Sequence, residues 1–341
     1  MSAEALPKFT KKDFMSDQTI RWCPGCGDYS ILSQVQTVLA EIGKPPHEVA
    51  VISGIGCSSR FPYYVNTYGF HTIHGRAPAF ATGLKIANPE LDVWQITGDG
   101  DALSIGGNHL LHALRRNVNI QILLFNNRIY GLTKGQYSPT SEENKVTKST
   151  PMGSLDHPVE PCRFALGSDA TFVARSADIF VAHLREMLRE THKHQGCSFL
   201  EIFQNCNIFN DKAFDTFTGV KNRAAAVVYC KHGEPLVYGS KKVGFKGLKL
   251  NGQFQIEMVE LENENQTEGL LVHDETNPIL ANMLVSLAPP FPVAMGVIFR
   301  VNRPTYDDAL HNQMQRAQNQ KTGGLIGLQQ ALAGKQTWEV K

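Results

Sequence analysis

The chain has 341 residues, 42% of them hydrophobic and 19% charged, which at ~150 residues per domain is about two domains' worth, with enough apolar content for packed cores. Lys plus Arg total 33 against 32 Asp plus Glu, a net charge of +1, and this balance removes the electrostatic case for a general nucleic-acid binder. No run reaches the ~18 apolar residues of a membrane helix, the polar N-terminus lacks the apolar core of a secretory signal, and seven cysteines argue against a disulfide framework. The chain reads as soluble and cytoplasmic, with thiols free for chemistry.

Residues 1–18, where Lys11, Lys12, Asp13 and Asp17 surround few apolar positions, read as a flexible arm. Ile31, Leu32, Val35, Val38, Leu39 and Ile42 recur at helical spacing, and Gly43 ends that helix. Short apolar strands follow at Val49–Ile52, Asp92–Thr97, Ile120–Phe125, Thr171–Ala174 and Ser198–Phe203, with helical stretches between them at Ile105–Arg116 and Asp178–His192. Continuous apolar strands alternating with helices predict an α/β fold, a parallel sheet with helices on both faces. The expected plan is an arm (1–18), a sheet domain (19–210) and a C-terminal extension (211–341). In the extension, Leu248–Leu250 and Phe254–Val259 flank Asn251-Gly252 and read as a β-hairpin with a two-residue turn. Glu257–Glu268 is acidic, Pro278–Leu287 is helical up to Pro289-Pro290, Arg303–Lys321 is polar, and Gly323–Trp338 is an apolar stretch of no clear period.

In open parallel sheets, ligands bind beyond the carboxyl ends of the strands. Gly54–Arg60, Gly98–Asp101 and Asn126–Lys134 are therefore expected on one edge. Cys23-Pro24-Gly25-Cys26 sets two thiols in a tight turn, and Cys57 follows the first strand end. A fourth thiol comes from Cys162, Cys197, Cys206 or Cys230. Cys197 precedes its strand and belongs to the opposite edge. Cys206 lies past the carboxyl end of the same strand, on the Cys57 edge, and is the choice; Cys162 and Cys230 read as buried core residues. The spacing alone leaves structural zinc, an iron–sulfur cluster or no metal open. A redox dithiol is disfavoured, because Cys23 does not stand between a strand and a helix.

Gly98-Asp99-Gly100-Asp101 closes one strand and Asn126-Asn127 the next. An Asp carboxylate, an Asn carbonyl oxygen and a backbone carbonyl are hard ligands that suit Mg²⁺ carrying a phosphate. The glycines let backbone approach that phosphate, and a helix start favours its charge. A Gly-Asp-Gly alone is a common turn; joined to Asn-Asn on the neighbouring strand end it points to a metal–diphosphate site. His74 either bonds a cofactor or reacting carboxylate or is a satisfied histidine near a strand end, and His71 reads as the latter. Asp101 either contacts the cofactor or caps a helix. Lys134 is either solvated or faces a substrate.

The segment from Gly98-Asp99-Gly100 to Asn126-Asn127 resembles the diphosphate motif of thiamine diphosphate enzymes. Together with Trp22-Cys23-Pro24-Gly25-Cys26-Gly27, Gly54-Ile55-Gly56-Cys57-Ser58 and His74-Gly75-Arg76-Ala77, it is similar to the β subunits of 2-oxoacid:ferredoxin oxidoreductases, most of all those acting on 2-oxoglutarate. The motifs fall in the right order and cover roughly Gln18 to Asp211; no site is carried over beyond that. The resemblance implies that residues 19–210 bind thiamine diphosphate and one [4Fe–4S] cluster held by Cys23, Cys26, Cys57 and Cys206. Asp99, Asn127 and the carbonyl of Ile129 would hold Mg²⁺. Ile55, Gly56, Cys57 and Ser58, then His74, Gly98, Gly100 and Asp101, then Asn127, Gly131 and Leu132 would line the cofactor site.

The implied reaction is oxidative decarboxylation of a 2-oxoacid with coenzyme A to acyl-CoA and CO₂, giving succinyl-CoA from 2-oxoglutarate. Electrons pass through the cluster to a ferredoxin, or run in reverse for CO₂ fixation. A partner α subunit would supply the pyrimidine-side domain and the Glu that activates the cofactor, in an αβ or (αβ)₂ assembly, so the chain alone is expected to be inactive. The chain lacks C-x₂-C-x₂-C-x₃-C-P, so no ferredoxin-type cluster pair is expected in it. A distal carboxylate leaving water needs a cation; Arg60 or Lys134 is expected to supply it and to join His74 as the side chains serving catalysis. The alternatives are the same enzyme class acting on pyruvate or a branched or aromatic 2-oxoacid, and a cluster-free thiamine diphosphate decarboxylase or carboligase with structural zinc. A non-catalytic iron–sulfur carrier is a third, and the Mg–diphosphate motif speaks against it.

Overall fold

A computed structural model describes residues 9–319, 328–334 and 338. The apolar runs build strands β1 (Val49–Ser53), β2 (Tyr68–His71), β3 (Asp92–Gly98), β4 (Gln121–Asn126), β5 (Phe172–Ala177), β6 (Ser198–Phe203) and β7 (Val227–Cys230). Then come β8 (Val237–Ser240), β9 (Gly244–Leu250), β10 (Ile256–Leu261) and β11 (Val293–Arg300). Eight strands form one sheet in the order β2-β1-β3-β4-β6-β5-β11-β7, and β10-β9-β8 form a small antiparallel sheet. From β2 across to β5 the pairing is parallel. β11 runs antiparallel to β5, and β7 pairs parallel to β11. The expected parallel sheet therefore covers six strands. The last two enter from the C-terminal third, and antiparallel pairing needs no crossover helix.

Helices α1 (Asp28–Ile42), α2 (Ala77–Ala87), α3 (Asp99–Leu103), α4 (Gly107–Arg116), α5 (Pro161–Gly167) and α6 (Val181–Lys193) follow or precede these strands. Successive strand residues turn to opposite faces. Ala50, Ile52, Ile122 and Leu124 pack with Ala77 and Ala81 of α2 and Leu110 and Leu114 of α4. Val49, Val51, Leu123 and Phe125 pack with Ile31, Val35 and Leu39 of α1 and Leu184 and Leu188 of α6. Both faces are covered, so β1, β4, β5 and β6 are buried along their whole length, which is why they read as mostly apolar runs, with the paired Arg175 and Glu201 as the charged exceptions. Gly43 ends α1 in the left-handed region at φ 79°.

The C-terminal third is not a separate unit: β7 and β11 belong to the main sheet, which crosses the boundary expected at residue 210. The hairpin is present as β9 and β10, but its loop runs from Asn251 to Gln255, because Ile256 pairs with Leu250. The Asn251 side chain accepts from the amides of Gln253 and Gln255 and shapes that loop. Pro278–Val285 is helical, and the polar Arg303–Lys321 segment holds a helix over Tyr306–Asn319. Much of Gly323–Trp338 lies outside the described residues; within it, Leu328–Ala333 is helical. No helix among the described residues is long and apolar enough to cross a membrane.

The arm is docked from residue 9 onward; residues 1–8 lie outside the described residues. Asp13 Oδ2 accepts from the Thr10 amide at 2.6 Å and the Thr10 hydroxyl at 2.9 Å, closing a 3₁₀ turn over Lys11–Phe14. Phe14 is fully buried, and Met15 bridges to Val65. One anchoring aromatic among charges leaves no periodic signal. Phe14→Ala is expected to lower the unfolding free energy by about 3–5 kcal/mol, read as a lower denaturation midpoint. An unchanged midpoint would mean that the arm is undocked in solution.

Candidate active site

Strand register decides which loops meet. Ser53 pairs with Ile96, Gly98 with Phe125 and Asn126 with Phe203, so β1, β3, β4 and β6 end along one edge. Two cavities lie beyond those ends. The larger, about 490 Å³, is walled by Ile55, Gly56, Cys57 and Ser58 after β1, by Gly98, Asp99, Gly100 and Asp101 after β3, and by Asn127, Ile129, Gly131 and Leu132 after β4, with His74 at its side.

Asp99 is 2% exposed. Its Oδ2 accepts from the hydroxyls of Ser138 and Thr140, each at 2.5 Å, which leaves Oδ1 for a cation. Burial pushes its carboxyl above the ordinary range while the two hydroxyls pull the other way; a divalent cation would favour the ionised form. Asn127 Nδ2 donates to Gln204 Oε1 at 2.9 Å, and Asn127 Oδ1 accepts from the Ile129 amide at 3.1 Å. With the Ile129 carbonyl, these groups offer oxygen ligands around one cavity, a donor set that fits Mg²⁺. Asn126 turns away: its Nδ2 donates to Glu201 at 2.7 Å and its Oδ1 accepts from Thr140 at 3.0 Å. Gly100 has no room for a side chain, because a Cβ there would meet the Tyr130 ring at 2.2 Å, and the Tyr130 hydroxyl donates to the Gly100 carbonyl at 3.0 Å.

Asp101 lies inside α3, so it is not that helix's cap, and its carboxylate is engaged by the protein. Oδ1 accepts from the Ile55 amide at 2.9 Å, the Gly75 amide at 2.7 Å and His74 Nδ1 at 2.6 Å; Oδ2 accepts from the Thr97 hydroxyl at 2.7 Å. One buried carboxylate thus ties the β1 loop, the His74 loop and β3 together. His74, with Nδ1 held, keeps Nε2 for the cavity it lines.

The smaller cavity, about 220 Å³, is lined by Cys23, Cys26, Cys57 and Cys206, and also by Arg21, Arg60 and Lys134. Cys197 is buried at the start of β6, on the opposite edge; Cys162 is buried in α5 and Cys230 on β7. Trp22 Nε1 donates to the Cys57 carbonyl at 2.7 Å and braces that turn. Gly131 packs against the thiols, where a Cβ would stand 3.4 Å from the Cys57 sulfur and 3.6 Å from the Cys206 sulfur. Burial first, then Asp28 and neighbouring thiols, push Cys57 up to about 12 and Cys26 higher still. Thiolates crowded in this way need a cationic partner. Zinc at ~2.3 Å from each sulfur would hold them roughly 3.8 Å apart. Among the described residues, no three of these four sulfurs lie within 4.8 Å of one another, a spacing wider than a single tetrahedral zinc would set.

Arg60 and Lys134 line the cysteine cavity and not the larger one. The chain after Cys57 folds as a 3₁₀ turn over Ser58–Tyr63 and carries Arg60 round to that side, where its Nε donates to the Tyr64 hydroxyl at 3.1 Å. Lys134, at φ 76°, sits in a turn closed by the Gly135 amide donating to the Tyr130 carbonyl at 2.9 Å. Five further site residues, Arg21, Tyr130, Ser138, Thr140 and Gln204, escape the motif reading. Ser138-Pro139-Thr140-Ser141 offered only a polar, turn-like composition. Gln204 offered only its place one residue past a strand end.

A family model for the C-terminal TPP-binding domain of thiamine pyrophosphate enzymes matches residues 54–202. The 2-oxoglutarate oxidoreductase subunit KorB of Mycobacterium tuberculosis is 52% identical, over 96% of this chain and 88% of that one. This chain belongs to the β-subunit family of the 2-oxoacid:ferredoxin oxidoreductases. The β subunit of 2-oxoacid:ferredoxin oxidoreductase 1 of Aeropyrum pernix is 47% identical, over 56% of this chain and 60% of that one. Among solved structures, the 2-oxoglutarate:ferredoxin oxidoreductase from Magnetococcus marinus, with 2-oxoglutarate, coenzyme A and succinyl-CoA bound, superposes with a TM-score of 0.75 at 33% identity, over 98% of this chain and 100% of that one. As a β subunit, the chain is an enzyme component that works with an α subunit. All residues of the larger cavity fall inside the thiamine diphosphate-binding match; of the four cysteines in the smaller one, only Cys57 does.

Asp99→Ala is expected to weaken Mg²⁺-dependent retention of thiamine diphosphate by roughly two orders of magnitude, since even residues that only orient a metal ligand carry 10–100-fold effects. Cofactor content after desalting, with and without Mg²⁺, measures this. Near-stoichiometric cofactor in the variant would remove Asp99 from the metal site.

Proposed function

We propose that this β subunit, joined to its α subunit, oxidatively decarboxylates 2-oxoglutarate with coenzyme A to succinyl-CoA and CO₂ and passes the two electrons through one [4Fe–4S] cluster to a ferredoxin. The observation that carries this reading is the shared wall: Cys57, Asn127, Gly131 and Leu132 line both cavities. A cofactor site and a four-cysteine site one residue layer apart suit a decarboxylation coupled to electron transfer. Thiamine diphosphate, when bound, supplies the carbanion chemistry by which a 2-oxoacid loses CO₂.

The chain's own residues take these roles. Asp99, Asn127 and the Ile129 carbonyl hold Mg²⁺ against the diphosphate, and Ser138 and Thr140 fix the Asp99 rotamer. Ile55 to Ser58, with Gly98, Gly100, Gly131 and Leu132, shape the wall around the cofactor. Asp101 positions His74, whose Nε2 is available to bond the cofactor or the reacting carboxylate. Cys23, Cys26, Cys57 and Cys206 hold the cluster, and the wide spacing of their sulfurs supports it over structural zinc. Ferredoxin-level potentials are within reach of a cluster in such a site, and the ferredoxin's own potential decides between oxidation and CO₂ fixation.

The choice of 2-oxoglutarate rests on two supports. The relatives matched nearly end to end carry that substrate in their names. Arg21, Arg60 and Lys134 also stand beside the shared wall, where a cation can pair with a distal carboxylate; none of the described residues lining the larger cavity is Arg or Lys. The α subunit is proposed to cover the mouth of the larger cavity. Ile73 and Ile105, 69% and 50% exposed, flank His74 and Gly75 there, and apolar surface beside a site marks a partner contact.

Cys206→Ala is expected to lose iron and sulfide and the EPR signal of the reduced cluster, whereas Cys197→Ala keeps all three. A full cluster in Cys206→Ala, with loss in Cys197→Ala, would reverse the ligand assignment.

A further inference from the structure

Gln204 sits one residue past β6 and is 1% exposed. Its amide N–H donates to the Asn126 carbonyl at 2.8 Å, extending the β4–β6 ladder one residue past β6 and fixing where the side chain starts. Its Nε2 donates to the Asn205 carbonyl at 2.6 Å and to the Cys26 sulfur at 3.3 Å, and its Oε1 accepts from Asn127 Nδ2 at 2.9 Å. The direction of this amide is determined. A backbone carbonyl only accepts, so the Gln204 nitrogen faces Asn205 and Cys26, and the oxygen faces Asn127. Asn127 is determined in turn: its Nδ2 is engaged, so its Oδ1 is the atom offered beside the Ile129 amide and the metal–diphosphate cavity.

Resting on the reading that Cys26 ligates a cluster, we infer that Gln204 is a positioning residue serving both centres. Its N–H···S bond to Cys26 raises the reduction potential of the cluster, while its carbonyl oxygen orients Asn127 toward Mg²⁺. Reduction adds negative charge to the cluster and its thiolates, and a donor dipole aimed at a sulfur stabilises the reduced form; hydrogen bonds to the sulfurs are one of the protein's main controls on such potentials. Because the same amide holds a ligand of each centre, movement at one is felt at the other.

The test uses the αβ complex purified without oxygen, carrying Gln204→Met, which has no amide at similar length, or Gln204→Glu, which keeps an acceptor for Asn127 and places an oxygen against the sulfur. Iron content, the cluster midpoint potential from an EPR-monitored titration, and thiamine diphosphate retained after desalting are measured. Both variants are expected to keep the cluster at a potential more negative than in the wild type. Cofactor retention is expected to fall in Gln204→Met and to hold in Gln204→Glu. A full cluster at the wild-type potential in both variants overturns the inference. Loss of the cluster in both makes Gln204 a structural prop and overturns it as well. Wild-type complex without iron would instead overturn the reading of the cysteine cavity, a result distinguishable before any variant is made.

Discussion

Parallel strands paired in register end together, and in this protein that constraint assembles the site. With Gly98 opposite Phe125 and Asn126 opposite Phe203, the loops after β3, β4 and β6 emerge side by side, next to the loop after β1. The register is held by two buried layers. A slip of one residue would exchange Ile122 and Leu124 with Leu123 and Phe125 between faces packed against different helices. On that frame, single buried groups set the loops: Asp101 gathers four donors from three segments, Ser138 and Thr140 aim Asp99, and Trp22 braces Cys57.

The loop after β4 also has an ionic foundation. Asn126 is bonded to Glu201, whose Oε2 accepts from Arg175 Nε at 2.7 Å, and Arg175 also pairs with Glu160. Arg175 and Glu201 are nearly inaccessible to solvent, so removing Arg175 would leave Glu201 buried without a counter-ion, a change that costs about 3–5 kcal/mol in buried pairs. Such a cluster explains why the first Asn of the pair turns inward. It anchors the strand end, and the second Asn is left to face the cavity.

What the sequence made legible follows from burial and from chain locality. Strands covered on both faces are largely apolar and their expected ends lie within a residue of the observed ones, except in β5, where the polar Arg175-Ser176 hides the last three residues beyond Ala174. β2 was not read, because all four of its residues are exposed at the sheet edge. β7 and β11 were missed because they return to the sheet from an irregular C-terminal third with no helix alternation to announce them. The Gly, Asp, Asn and Cys residues at strand ends were legible, since few structural demands place those types together. Contacts made only by folding were not: Ser138 and Thr140 reach back 39 and 41 residues to Asp99, and Gln204 reaches 178 residues to Cys26. The side on which Arg60 emerges depended on a 3₁₀ turn that contains Pro62 and gave no periodic signal.

Under the proposed function, the two cavities with a common wall are coupled: loss of CO₂ in one would be matched by electrons leaving through the other. The most direct measurement is acceptor reduction by the anaerobically purified αβ complex, with 2-oxoglutarate, pyruvate and 2-oxobutyrate compared with and without coenzyme A. Reduction of ferredoxin or a viologen that requires both coenzyme A and the α subunit, with the highest kcat/KM on 2-oxoglutarate, is the expected result. CO₂ release without acceptor reduction, or turnover by this chain alone, would contradict it.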